Sequence, residues 1–350
     1  MSDNVKSVAG CRLPVAGCHN FDYVAVAGYY YSGSSAVVDI LQEFPSCFVP
    51  EFEFCAITGD DGIENLFTSV LTKEDCTIAI RNFMKFMKFL DHPYSILTPG
   101  HDYRRKLRGN FMRTTQEFIS SLASFQYGIK AYRAMGGIEF FFKRICNIIL
   151  RLLHADIYMG IEAHFIDISE ADLIAAIKKY IDDIFSPIIS TDTKHVILDQ
   201  GIAAVNYSSQ MSFLRKAKLI VVDRDARDNY ADLARHGGSV TRSFSSPFVL
   251  RSRNVNHYIQ YHIKERRNQK QIKNDPDVLF LQFEDLICHY DESLKRIIDF
   301  VGLDPADHLY KRKYFNPDVS IKNVGLWKDY LSDSEVTAIT SELSEYFYTR

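Results

Sequence analysis

The sequence predicts an α/β fold: a P-loop-like, doubly wound parallel sheet carrying a large helical insertion. Three observations predict it. The first is Phe21 to Leu41, FDYVAVAGYYYSGSSAVVDIL, in which a continuous apolar run passes through a glycine- and serine-containing loop into a helix. The second is the return of the same kind of run at Thr193 to Asp199, Ala217 to Asp223 and Val278 to Phe283, with helical text between and after. Third, roughly 120 residues between these two regions read as helix, too many for a plain connection.

Residues 1 to about 20 are small and polar and read as a loose lead-in. Tyr23 to Ala27 forms the first strand. Gly28 and Gly33 admit torsions closed to other residues, and Ser34 and Ser35 stand where an N-cap hydroxyl and unpaired helix N–H groups meet an anion. The spacing from Gly28 to Ser35 is that of the nucleotide-triphosphatase P-loop, but Ser34 occupies its lysine position. A loop without that lysine suits one phosphate on the 5′ side of a ligand better than a triphosphate.

A helix follows over Ser34 to Phe44. Cys47 to Phe54 alternates and is expected to be the second strand, with Glu51 and Glu53 on one face by the period of two. From Ile63 to Phe185, helices are expected near 73–90, 111–134, 138–154 and 169–185, between the breakers His92-Pro93, Pro99-Gly100 and Gly136-Gly137. In the third of these, Lys143, Arg144, Asn147 and Arg151 share a narrow arc of an otherwise apolar helix, which fits either a buried helix or one docked on an anionic membrane. The expected division is an α/β core from residues 1–62 and 190–350, with an insertion at 63–189.

Composition narrows the function. A net charge of −3 over 350 residues gives no field to hold nucleic acid, so any anionic ligand must be met by a local cluster of cations. The seven cysteines are scattered without a C-x-x-C pair and read as reduced thiols, favouring a cytoplasmic protein with, at most, peripheral contact with the inner face of a membrane. No histidine spacing suggests a metal site. The basic cluster Arg251, Arg253, Lys264, Arg266, Arg267, Lys270 and Lys273 reads as a solvated helix face or, alternatively, as contacts to an anionic ligand.

After the strand Leu219 to Val222 comes Asp223-Arg224-Asp225-Ala226-Arg227-Asp228, which places Arg224 at a strand's carboxyl end, where a guanidinium can grip a phosphate. Arg227 is suited to pairing with Asp225 or Asp228. Together with Ser32-Gly33-Ser34-Ser35, this segment resembles the two donor-binding motifs of sulfotransferases that use 3′-phosphoadenosine 5′-phosphosulfate (PAPS): a strand–SGT[TS]–helix loop for the 5′-phosphosulfate and a strand–RDPRD–helix segment for the 3′-phosphate. Leu281 to Leu286 with Ile297 to Leu303 is similar to the family's YEDL…FLGL segment. Ser320 to Leu331, with Lys322, Asn323 and Gly325, is similar to its donor-closing loop and the W-x-x-Y-L beyond it. Glu51 to Leu66 looks like a stretch of bacterial members associated with surface polysaccharides.

The resemblance implies a metal-independent sulfotransferase that moves a sulfuryl group from PAPS to a hydroxyl of a carbohydrate acceptor, a surface polysaccharide or glycolipid, with the insertion binding that acceptor. Tyr31, Ser32, Gly33, Ser34, Ser35, Arg224, Asp232, Lys322, Asn323 and Gly325 would line the donor site, and the acceptor's proton would go to Glu51 first, with Glu53 the second candidate and Asp199 the third. Two positions depart from the pattern. Tyr31 stands where a lysine or arginine usually stabilises the bridging oxygen, and Asp232 where a serine usually meets the 3′-phosphate. Asp232 is expected to pair with Arg235 or to turn away, and Lys322 to supply the missing cation. Two other readings remain: a catalytically impaired PAPS-binding scaffold, and a P-loop kinase-like phosphotransferase with Asp223 as its metal-binding carboxylate.

Overall fold

The computed structural model describes residues 21–93, 100–129, 137–154, 161–240 and 254–349. They fall into two compact units, one of residues 21–54 with 189–349, the other of residues 55–188. Expectations for residues 1 to 20, including Cys11 and Cys18, and for Arg251 and Arg253 lie outside the described residues.

In chain order the elements are β1 (Asp22–Gly28), α1 (Ser35–Gln42) and β2 (Cys47–Phe48). The second unit then holds α2 (Ile63–Thr72), α3 (Thr77–Asp91), α4 (Tyr103–Lys106), α5 (Phe111–Leu122), β3 (Phe125–Ile129), α6 (Gly137–Leu152), β4 (Ile161–Phe165) and α7 (Glu170–Phe185). The first unit resumes with β5 (His195–Asp199), α8 (Tyr207–Met211), β6 (Ala217–Asp223) and α9 (Ala226–Val240). After helices at Val255–Glu265 and Gln269–Asn274 comes β7 (Val278–Gln282).

The first unit is a five-stranded parallel sheet in the order β2-β5-β1-β6-β7, with helices packed on it. Tyr23 to Ala27 are buried because β1 is central and covered on both faces, the condition under which a strand reads as an unbroken apolar run. Val37, Ile40, Leu41 and Phe44 of α1 and its exit seat against Val24, Ile220, Val222 and Leu281. The register sets Gly28 beside Val222 and Val26 beside Asp199, so the loops leaving β1, β5 and β6 share one end of the sheet. From β1 the chain crosses to the edge strand β2, returns to β5 beside β1, and then passes to β6 and β7 on the other side, so the crevice for a ligand lies at those carboxyl ends.

Two expectations fail in instructive ways. The second strand stops at Phe48, and Val49 to Phe54 runs as irregular chain. β2 pairs only with β5 at the sheet edge, and Pro50 has no N–H to extend a ladder. Glu51 and Glu53 therefore do not share a strand face. The helix expected over 111–134 ends at Leu122, where Ala123 turns extended, and Phe125–Ile129 pairs antiparallel with Ile161–Phe165. That partner lies far along the chain, so no local periodicity announces it.

The second unit packs α3, α5 and α7 around Phe83, Phe118 and Tyr180. The Phe118 and Tyr180 rings are stacked at 4.5 Å, and the Tyr180 hydroxyl lies 2.8 Å from Thr115 Oγ1. Ser169 caps α7 by accepting the Asp172 N–H. Cys47, Cys76, Cys146 and Cys288 are free thiols. Among the described residues no helix is long and apolar enough to cross a membrane.

Candidate active site at the carboxyl ends of the sheet

The loop from Tyr29 to Ser34 folds back on itself before α1. The Tyr29 N–H donates to Ser32 Oγ at 3.0 Å. Gly33 has φ of +83°, and a Cβ there would lie 2.3 Å from the Phe283 ring, so both conformation and space demand glycine. The first acceptor-satisfied N–H of the helix is that of Ala36, bonded to Gly33 O at 3.1 Å. Among the described residues the N–H groups of Gly33, Ser34 and Ser35 have no such acceptor and are left for an anion. Ser34 does not cap the helix; its Oγ accepts from Gln200 Nε2 at 2.8 Å, which couples the loop to the end of β5.

Arg224 is the hinge of the site. Its side chain is 2% exposed and stacks 4.9 Å above Phe283, the same ring that fills the space beside Gly33. Nη1 donates to Tyr31 O at 3.1 Å and to Asp232 Oδ2 at 2.7 Å, and Nη2 donates to Asn323 O at 2.5 Å. Three segments, the β1 loop, α9 and the loop before Trp327, thus meet on one buried cation. Nε alone is buried without a partner.

This geometry corrects the expected environment of Asp232. It pairs with Arg224 and with His236, whose Nδ1 lies 2.7 Å from Oδ1, whereas Arg235 lies over the Tyr330 ring. The reason is helical phase: Asp232 and His236 are four residues apart and lie on one face of α9. A carboxylate therefore sits on the guanidinium expected to receive a phosphate. Tyr31, with φ of +56°, donates no cation to the loop. Its ring stacks parallel to His236 at 6.5 Å, and its hydroxyl is held above the usual tyrosine range by burial and then by Asp232.

The C-terminal loop is docked by its backbone. Asp228 accepts the Gly325 N–H at 2.7 Å and the Trp327 N–H at 3.0 Å. Asn323 and Gly325 thus enter the site as a carbonyl and an N–H, while the Lys322 side chain is exposed. Arg227 plays the structural part open to it: it pairs with Asp225 at 2.6 Å and lies against the Trp327 and Phe347 rings at 4.5 and 3.9 Å.

Of the three carboxylates expected to take a proton, the structure groups two. Asp199 closes β5 beside Gln200, and burial raises its pKa to about 6, with the charges of Glu53 and Asp39 adding to the effect. The Phe54 N–H donates to Asp199 O at 2.9 Å, holding Glu53 nearby. Glu51 is exposed in the bend after β2.

Asp223 does not fit the part of a metal-binding carboxylate. Its two oxygens accept Arg266 Nη2 at 2.6 Å, Arg266 Nε at 3.0 Å, Gln269 Nε2 at 2.6 Å and the Arg224 N–H at 2.9 Å. Arg266 itself is buried, 4.1 Å over the Tyr29 ring, and so is not part of a solvated basic face.

Sequence reasoning missed three residues that shape the site. Asn229 Nδ2 donates to Tyr30 O at 2.7 Å and so fixes the β1 loop from α9. Gln200 reaches Ser34, and Glu284 accepts the Asp225 N–H at 2.9 Å. Asn229 and Glu284 were within reach of sequence, since one follows directly on the Arg224 to Asp228 motif and the other lies within Leu281 to Leu286.

No protein-family model matches the chain, and no curated protein does. Among solved structures, the likeness is to sulfotransferases. The chain is similar to the sulfotransferase STF9 of Mycobacterium avium, at 11% identity, 95% of this chain, 76% of that one and a TM-score of 0.40. It is similar to the sulfotransferase domain of the curacin biosynthetic pathway, at 11% identity, 93% and 98% coverage and a TM-score of 0.43. A mouse sulfotransferase complexed with PAP, the desulfonated form of the donor, aligns at 16% identity over 47% of this chain and 70% of its own, with a TM-score of 0.33.

Proposed function

We propose that the chain is a sulfotransferase that moves a sulfuryl group from PAPS to an acceptor hydroxyl. The observation that carries this reading is the meeting of three loops on Arg224 beside a lysine-free cradle of N–H groups at Gly33, Ser34 and Ser35. The cradle holds the 5′-phosphosulfate. Arg224 receives the 3′-phosphate once Asp232 yields its place, and Asn323 and Gly325 close the loop over the donor. Asp223 is already satisfied by Arg266 and Gln269, so the kinase-like alternative loses its central residue.

In the transfer, the acceptor oxygen attacks sulfur as the bond to the bridging oxygen breaks. The cradle N–H groups stabilise charge on the departing side. Asp199 takes the hydroxyl proton, with Glu53 and then Glu51 as its replacements. Its pKa of about 6 keeps it ionised at neutral pH yet basic enough to accept a proton in the transition state.

We further assign the acceptor to the carbohydrates, a surface polysaccharide or glycolipid, with residues 63–189 recognising it; the likeness of Glu51 to Leu66 to polysaccharide-associated members supports this. The free thiols of Cys47, Cys76, Cys146 and Cys288 accord with a cytoplasmic site of action. Calorimetry tests the donor: PAP should bind far more tightly than ATP with Mg²⁺, and equal affinities would overturn the assignment. The scaffold reading is favoured by Tyr31, which brings no cation to the bridging oxygen. It predicts PAP binding without any transfer of labelled sulfate to a panel of oligosaccharides.

A further inference from the structure

Helix α6 turns most of its apolar side chains outward, and its less exposed side mixes Glu139, Lys143 and Asn147 with Phe140, Cys146 and Leu150. Seven of its apolar residues recur at intervals of three and four along one stripe that faces solvent, among them Ile138, 77% exposed, Phe141 60%, Phe142 63%, Ile149 49% and Leu152 74%. None of its residues is buried. On the opposite side Glu139 bonds Arg81 of α3 and Lys143, the latter at 3.0 Å, so the polar edge is the one held against the rest of its unit. At 100° per residue, Arg144 and Arg151 fall together on one border of the apolar stripe. The helix's single acidic side chain, Glu139, lies away from that border and is already paired.

An exposed apolar stripe of four turns is more than scattered surface hydrophobicity, and it marks an interaction site. We propose that α6 lies in the surface of an anionic lipid bilayer, with its apolar stripe in the acyl boundary and Arg144 and Arg151 at the headgroups. Length fits this placement: sixteen residues span about 24 Å. A bilayer's hydrocarbon core is about 30 Å thick, so the helix lies along the surface and does not cross it. Charge favours lipid over a second copy of the chain. In a two-fold pair of antiparallel helices each border meets its own twin, which would bring the arginines of both copies together. The inference is independent of the donor assignment, because α6 carries none of the residues assigned to the donor.

The test is flotation of the full chain with vesicles of phosphatidylcholine alone and of phosphatidylcholine mixed with phosphatidylglycerol. The chain should float with the anionic vesicles. Arg144→Gln with Arg151→Gln should weaken that binding roughly 25-fold, about fivefold for each arginine. Phe141→Ser with Phe142→Ser should abolish it while leaving the thermal melt and PAP affinity unchanged, since both side chains face solvent. Failure to bind either vesicle, or equal binding to both, would overturn the proposal. So would a dimer in light scattering that Phe141→Ser with Phe142→Ser splits, which would assign the stripe to a second copy.

Discussion

Replacing Asp232 with serine should make the protein a better binder of 3′-phosphorylated nucleotides. In the wild-type chain the Asp232 carboxylate lies 2.7 Å from Arg224 Nη1, on the buried guanidinium that directly follows β6. A 3′-phosphate arriving there has two routes. It can sit beside the carboxylate, where two like charges about 4 Å apart at an effective dielectric of about 20 repel by about 4 kcal/mol. Alternatively it can break the Arg224–Asp232 pair, and separating a largely buried pair costs roughly 3–5 kcal/mol before the new arginine–phosphate contact offsets it. Serine removes both obstacles and offers a hydroxyl to the phosphate. The net gain should be roughly 2–4 kcal/mol, a fall in the Kd for PAP of about 30- to 1,000-fold. Calorimetry with PAP and with AMP, which lacks the 3′-phosphate, isolates the effect. If Asp232→Ser changes PAP affinity less than about threefold, or raises AMP affinity equally, then Arg224 is a structural tie and not the receiver of the 3′-phosphate.

Four further outcomes follow from the same geometry. Arg266→Met should lower stability by roughly 3–5 kcal/mol in chemical denaturation, because it leaves Asp223 buried and unpaired. Gly33→Ala should lose roughly 1–3 kcal/mol and most nucleotide binding, since the new Cβ meets the Phe283 ring at a φ few residues adopt. Asp199→Asn should cut turnover roughly 10²–10⁴-fold, and wild-type turnover should rise with pH through about 6 as Asp199 ionises; a flat profile there would remove it from the role. Glu284 is held at about 7, chiefly by burial, against an ordinary 4.5. The fold thus prefers its protonated form, and this contribution is complete below pH 4.5 and lost as pH rises through 7. Its loss amounts to roughly 3 kcal/mol, and Glu284→Gln should flatten that part of the stability–pH curve.

The parallel sheet, the loop after β1 and the arginine after β6 were legible in the sequence because each is a local pattern. An unbroken apolar run marks a strand covered on both faces, and glycine marks a backbone that other residues cannot follow. The length and charge of the α6 stripe were legible for the same reason, since helical periodicity belongs to one segment. What required the tertiary structure was every pairing between distant segments. Nothing near Phe125–Ile129 points to Ile161–Phe165 as its partner, and nothing near Asp223 points to Arg266. Asp232 reads as an anomaly in the chain, yet only the fold places it on Arg224, and only the fold turns the apolar stripe of α6 outward. A residue's type fixes what it can bond, but which partner it meets is decided by packing, where a buried charge must find the nearest group able to satisfy it.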